Sequence, residues 1–506
     1  RLPRRGSACS GVVPMSSADA TPISGPPHGG PDLHLPLHRL IRRAAVCVSA
    51  DASLREALTR MNDERVGSVL VTEAGRAVGI LTLPDLPGRV LLPGLSLDTP
   101  VARVMSSPLH VLDADCSGED AARLMARHDV RHIAVVDHDQ RLLGVIAQND
   151  LYARLRSDIR SLAGRIHSAG DLDALADAAR AVRRFGVAQL QDGSSAEALT
   201  LHLSALNDAL TARAIDLVRA THPDGAVFDR VRWCWLAFGS EGRMEQTFCT
   251  DQDNGLVFEV PPGLSADSVR PALLRVAGDI NRTLAQLGFP LCEGGVMAGQ
   301  PRCCLSLDEW RQAFADWIAE PQPEALLAAN IFFDLRALHG DATLADALLT
   351  EQVAQASAGT RFLRLMAQNA LRARVPLGLL GRLRVDDVRD APHTLDLKAG
   401  GARIFADCAR LLALRDGVAA RSTSARLRAL ARQGGLAGDD VEAMIRAFFV
   451  IQQLRLQRQG ETTNILATAN RIDPRLLNAL DRVVLKQAMV QAQRLLDRIR
   501  IDWQLP

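Results

Sequence analysis

The chain has 506 residues, 47% of them apolar and 23% charged, with a formal net charge of +1. That length suffices for several packed cores, by the rough rule of one domain per ~150 residues. The near-zero charge offers no overall field to draw nucleic acid or an anionic membrane surface, and no apolar run approaches the ~20 residues that span a bilayer. Nine cysteines without a C-x-x-C spacing fit reduced thiols in a cytoplasmic protein, not a disulfide framework or a zinc site. Of the 59 basic residues, only Lys398 and Lys486 are lysine.

Residues 1–37 are rich in Gly, Pro, Ser and Ala and lack the apolar centre of a secretory signal, so a disordered leader is expected there, with Met15 a candidate start. An internal repeat follows. VGSVLVTEAGRAVGILTLPDL (Val66–Leu86) aligns with VRHIAVVDHDQRLLGVIAQNDL (Val130–Leu151), and each copy is preceded by an amphipathic segment. Each unit is too small to bury its own apolar face, so the two should pack together. This tandem, residues 38–155, resembles a CBS domain pair. The resemblance implies a regulatory module that takes adenine nucleotides and associates into homodimers, with a hydroxyl residue and an Asp three positions later holding ribose and phosphate. Thr82 and Asp85 fill those positions in the first copy; the second has Ala147 but keeps Asp150. The alternative for both aspartates is to cap the helix that follows.

From 156 to 228 the apolar spacing is helical and reads as a connector. Residues 229–345 are mixed in character. VRWCWLAFG reads as a buried strand ending at Gly239-Ser240, where a glycine lets backbone approach a ligand and N–H groups at a helix start suit phosphate oxygens. Asp251 and Asp253 lead into the strand-like NGLVFEV, and residues i and i+2 of an extended chain point the same way. Two carboxylates on one side repel, and a divalent cation, Mg²⁺ or Mn²⁺, relieves that cost. Such ions polarise an attacked phosphorus and stabilise leaving pyrophosphate, so strand, turn and carboxylates read as one nucleoside-triphosphate site. Trp310 and Trp317, seven apart, mark a buried helical face. From 346 to 506, segments such as DDVEAMIRAFFVIQQLRLQRQ with Asp or Ser at their starts read as a helical bundle.

The string GSEGRMEQTFCTDQDNG contains a Gly-Ser pair, an Arg-x-Glu and a D-x-D. It resembles the nucleotidyltransferase domain that accompanies CBS pairs in bacterial signal-transduction proteins, related to PII-protein uridylyltransferases. GFPLCEGGVMAGQP, LDEWRQAFADWI and NIFFDLRALHGD follow in that family's order, and HTLDLKAGGARIFADCARLLAL resembles its C-terminal helical domain. The implied fold is multidomain α/β plus α: tandem CBS domains, a nucleotidyltransferase-type mixed α/β core over 229–345, and a helical bundle over 346–506. The implied activity is Mg²⁺-dependent transfer of NMP from an NTP to an acceptor, a protein by analogy, under control of an adenine nucleotide on the CBS pair. Its rival is a non-catalytic nucleotide-sensing regulator. Neither nucleic acid nor a membrane is an expected partner.

By that resemblance Gly239 and Ser240 cradle phosphates, Asp251 and Asp253 bind the metal, and Arg243 contacts phosphate. Glu245 and Gln246 either shape the turn or support the metal's ligands. A third metal carboxylate is implied on a later strand. Glu293 in LCEGGVMA is one candidate; Asp334, in a segment that reads helical and offers Arg336 as its other partner, is the second. Lys398 in LDLKAGGARI is similar to a uridylyltransferase segment that places an ammonium near the triphosphate, its alternative being a salt bridge with Asp396.

Overall fold

The structure, a computed structural model, describes residues 36–505 apart from 42–43, 75, 129, 140, 152, 379–381, 390 and 462–467. The expected leader therefore lies outside the described residues, except for its last two positions. Two compact units divide the chain, Arg1–Asp158 and Ile159–Pro506.

The first unit is built from the repeat. In copy one, β1 (Cys47–Ser49) runs parallel to β2 (Ser68–Glu73), which pairs antiparallel with β3 (Arg76–Thr82). Copy two repeats this with β4 (Val111–Asp113), β5 (His132–Val136) and β6 (Leu142–Ala147). Even the irregularity in the hairpin recurs, at Val71/Thr72 and at the equivalent Val135/Val136. Helices Leu54–Asp63 and Gly118–His128 precede the two hairpins, the first capped by the Ser53 hydroxyl accepting from Glu56 N–H. Leu70 and Ile80 of copy one share a buried cluster with Ala134 of copy two. Neither three-stranded sheet could cover that face alone, which is why the copies pack together.

In the second unit, helices Leu172–Gln191 and Ala196–Thr221 precede a four-stranded sheet. Its order is β10-β7-β8-β9, made from β7 (Arg232–Ala237), β8 (Asn254–Glu259), β9 (Cys304–Ser306) and β10 (Arg336–Gly340). Only the β8–β9 pair is parallel. After Arg232 every residue of β7 is buried, so the run WCWLA lies at the centre of a sheet covered on both faces. A small sheet of β11 (Asp386–Val388), β12 (Ala391–Asp396) and β13 (Arg471–Ile472) follows, among the helices Arg403–Arg415, Thr423–Arg432, Gly438–Glu461 and Ala479–Asp502.

One buried cluster runs from Cys234 and Phe238 of the sheet segment, through Trp310, to Phe405, Phe448 and Leu495 of the C-terminal helices. Trp310 is wholly buried and donates its Nε1–H to Leu256 O at 3.1 Å, and Trp317 stacks on Phe332 at 5.0 Å. These rings are packing elements. The architecture is the multidomain α/β plus α arrangement the sequence implied, with a helical C-terminal region. Among the described residues no helix is long and apolar enough to cross a membrane.

Candidate functional site

The site begins where β7 ends. Gly239 has φ +54° and opens the four-residue helical turn Gly239–Gly242. A Cβ on Gly239 would lie 2.7 Å from Asp253 Oδ2, so only glycine lets that carboxylate abut the turn. Phe238 N–H donates to Asp253 O at 2.8 Å, carrying the β7–β8 ladder one step past the strands. Gln252 and Asn254 face a buried amide network instead: Gln252 Nε2 donates to Asn281 O and Phe289 O, and Asn281 Nδ2 to Gln252 Oε1 and Asn254 Oδ1. Pinning the even positions inward leaves Asp251 and Asp253 together on the other side, as period two requires.

The ligand atoms of Asp251, Asp253 and Cys292 all lie within 4.8 Å of one another. Burial, and then the charge of Asp251, push the Asp253 carboxyl up to about 7. The pair is short of positive charge, and a divalent cation held by the two carboxylates fits both the donor set and the space beside Gly239. The third donor is a thiol: Cys292 Sγ lies 3.6 Å from Asp253 Oδ1.

Neither acid proposed for that third place occupies it. Glu293 is exposed on a turn, not on a strand; strand geometry resumes only at β9, after the glycine pair Gly294-Gly295, whose second member has φ +65°. Asp334 is buried, yet it lies in a bend between the helix Pro323–Phe332 and β10. Its carboxylate accepts from Arg410, Arg426 and Arg243, whereas Arg336 pairs with Asp208 at 2.8 Å. Three guanidiniums outweigh burial and hold Asp334 well below the usual carboxylate range.

Ser240, Arg243, Glu245, Asp251, Lys398 and Arg455 line one cavity of about 60 Å³. Arg243 is not free to grip a phosphate as expected: its Nε donates to Glu245 Oε2 at 2.7 Å and its Nη1 to Asp334. Glu245 also accepts from Thr423 N–H at 2.6 Å and Thr423 Oγ1 at 3.1 Å, holding the start of the helix Thr423–Arg432. Gln246 is tied to the helix Ala196–Thr221, through Ser204 Oγ and Asn207 Nδ2. These two therefore shape the turn. Lys398 forms no salt bridge with Asp396, whose Oδ1 accepts instead from the backbone N–H groups of Lys398 and Ala399 at 2.8 Å each. Lys398 lines the cavity, and its charge helps to offset that of Asp253. Glu241, inside the motif, is buried, and burial, then the charge of Asp208, push its carboxyl well above the ordinary range.

In the first unit a cleft of about 480 Å³ is lined by Thr82, Asp85, Arg89, Arg131, His132 and residues 105–110. Asp85 Oδ2 accepts from both the N–H and the Oγ1–H of Thr82, at 2.9 and 2.6 Å. Burial keeps His132 below its ordinary value and so neutral at pH 7. In copy two, Asp150 accepts from Ala147 N–H at 2.9 Å and is not among the residues lining the cleft.

A paired hairpin module and a sheet with a glycine turn facing two acids define a class: a nucleotidyltransferase-type domain joined to a CBS pair. Residues 37–87 and 101–157 match the CBS domain, residues 180–324 the family described as "Putative nucleotidyltransferase DUF294", and residues 360–502 its "substrate binding domain". The chain belongs to the CBS domain-containing proteins. The protein YhcV of Bacillus subtilis, so described, is 38% identical over 104 residues, 21% of this chain and 74% of that one. The uncharacterized protein MK0525 of Methanopyrus kandleri is 30% identical over 112 residues; the chain spans 57% of its length. A solved CBS domain protein of Pyrobaculum aerophilum, complexed with AMP, is 29% identical with a TM-score of 0.23, covering 24% of this chain and 97% of that one.

Proposed function

We propose that the chain transfers a nucleotidyl group from an NTP to an acceptor, with a protein side chain as the acceptor and an adenine nucleotide in the CBS cleft setting the rate. The observation that carries this reading is the approach of Asp253 to Gly239, which joins a phosphate-suited turn to a carboxylate pair. In the reaction an acceptor oxygen bonds to the α-phosphorus, the bond to the bridging oxygen breaks, pyrophosphate leaves and the acceptor's proton passes to water. A divalent cation, Mg²⁺ or Mn²⁺, on Asp251 and Asp253 would neutralise charge on the phosphates. The Gly239 and Ser240 N–H groups and the Ser240 hydroxyl would orient the triphosphate, and Lys398 would offset its charge. Arg243, Glu245 and Gln246 hold the turn in place from behind.

Thr82, Asp85, Arg89 and Arg131 present the hydroxyl, carboxylate and cations that suit a ribose and a phosphate. Asp150 caps the start of its helix by accepting from Ala147 N–H and takes no part in this cleft. Homodimerisation through the CBS pair, a cytoplasmic setting and kinship with PII uridylyltransferases belong to the same reading. The test is transfer from each of four α-labelled NTPs into lysate of the source cell, comparing native protein with Asp251→Asn/Asp253→Asn. Label incorporated only by the native protein supports the reading, and equal labelling by both sinks it. The thiol in the third position, where an acid would complete the set, favours the second reading: a regulator that binds nucleotide without turnover. Nucleotide binding with no transfer to any acceptor would establish that one.

A further inference from the structure

A further cavity, of about 460 Å³, lies in the C-terminal region between residues 382–393 and the start of the last helix. Leu383, Val385, Pro474 and Val483 give it apolar walls, while Arg382, His393, Arg475, Arg482 and Lys486 ring it with basic groups. Two of these have carboxylate partners: Arg475 pairs with Asp473, and His393 lies 3.1 Å from Asp387. Arg382, Arg482 and Lys486 have no carboxylate partner among the described residues; Arg482 donates only to the carbonyls of Pro474, Arg475 and Leu477. Three cations without a carboxylate partner among the described residues, beside an apolar cavity, ask for an anion that also carries apolar groups.

The apolar surface does not stop at the cavity. The segment that supplies Pro474 through Lys486 also carries Leu476 at 82% exposure, Leu480 at 71% and Val483 at 57%; across the cavity Val385 is 38% exposed. Large apolar side chains so exposed within a dozen residues form a patch of the kind that marks an interaction site. A free phosphate or nucleotide would satisfy the cations but leave Leu476 and Leu480 in water.

We infer that this groove docks an acidic segment of a partner polypeptide, one whose apolar side chains cover Val483, Leu480 and Leu476 while its carboxylates face Arg382, Arg482 and Lys486. The docking goes beyond the transfer reading and does not depend on it, since no residue of the groove belongs to the Asp251–Asp253 site.

The experiment is fluorescence anisotropy of the full-length chain with a labelled amphipathic peptide of Glu, Asp, Leu and Val, against a control with Lys in place of every acid. Saturable binding of the acidic peptide is expected, weakening with salt as steered association does. Arg382→Glu/Lys486→Glu should weaken it at least about tenfold, and Val483→Ser, which removes apolar surface without adding charge, should weaken it as well. Neither variant removes a side-chain hydrogen bond seen among the described residues, and circular dichroism melts check that both remain folded. Asp251→Asn/Asp253→Asn should bind as the native chain does, which separates this inference from the transfer reading. Absent or non-saturable binding overturns it, as does equal affinity for the Lys peptide, full displacement by ATP, or light scattering showing that a second copy already fills the groove.

Discussion

Arg410 grips Asp334 with two arms of its guanidinium, Nε at 3.0 Å from Oδ1 and Nη2 at 2.6 Å from Oδ2. Arg426 and Arg243 donate to the same carboxylate, while Glu245 pairs with Arg243 and Asp407 with Arg410. Three guanidiniums and three carboxylates thus meet in the interior, and through Arg243 they fix the motif to the C-terminal helices. Asp334→Asn would leave buried guanidiniums without their shared anion, a loss of about 3–5 kcal/mol. Urea unfolding of the variant at pH 7 should show it; a variant as stable as the native protein would mean that the cluster carries no net stability.

The same carboxylate sets a pH dependence. Its folded-state value lies below the ~4 of an unfolded Asp. Its contribution is therefore full above about pH 4 and lost as pH falls through the lower folded value. The native and Asp334→Asn curves of melting temperature against pH should be far apart at pH 7 and converge in acid. Parallel curves down to pH 2 would remove Asp334 as the cause.

Gly239→Ala should cost about 1–2 kcal/mol, because φ +54° is a left-handed conformation that a side chain resists. The larger effect should be local, since the new methyl would displace Asp253 Oδ2. Divalent-cation binding by calorimetry is expected to weaken at least about tenfold in a protein that still folds. Unchanged affinity would separate the turn from the cation site.

Cys292 predicts a metal preference. With a thiol beside two carboxylates, Mn²⁺ and Co²⁺ should bind more tightly relative to Mg²⁺ than an all-oxygen set allows. Co²⁺ titration should produce a thiolate-to-metal charge-transfer band that Cys292→Ser abolishes, while Cys292→Asp should shift preference toward Mg²⁺. A band that survives Cys292→Ser would exclude this sulfur as a ligand.

In the CBS cleft, Thr82→Ala and Arg131→Ala should each weaken AMP binding, measured by calorimetry, by roughly tenfold, about what one well-placed polar contact supplies. Asp150→Ala should leave AMP binding intact and lower stability by about 1 kcal/mol, the cost of a lost cap. Equal losses of affinity in all three would mean that both copies hold ligand.

What the sequence determined by itself is local. Two hairpins of the same pattern, the second longer by one residue, read as a repeat, and WCWLAF reads as a buried strand, because strand periodicity and burial are written in neighbouring residues. Asp251 and Asp253 could be placed on one side because residues two apart on an extended chain must share it. Tertiary structure alone decided what meets these residues from far along the chain. Cys292 in place of Glu293 follows from a loop closed by Gly294-Gly295, and Asp334 meets Arg410 and Arg426 only because three segments distant in sequence pack into one core. Arg243 looked like a phosphate ligand for the same reason: its charge is visible in the sequence, but the two acids that occupy it are not neighbours in any periodic pattern, since one lies two residues away across a turn and the other 91 residues on. Spacing fixes which way a side chain points, and only packing of distant segments fixes what it finds there.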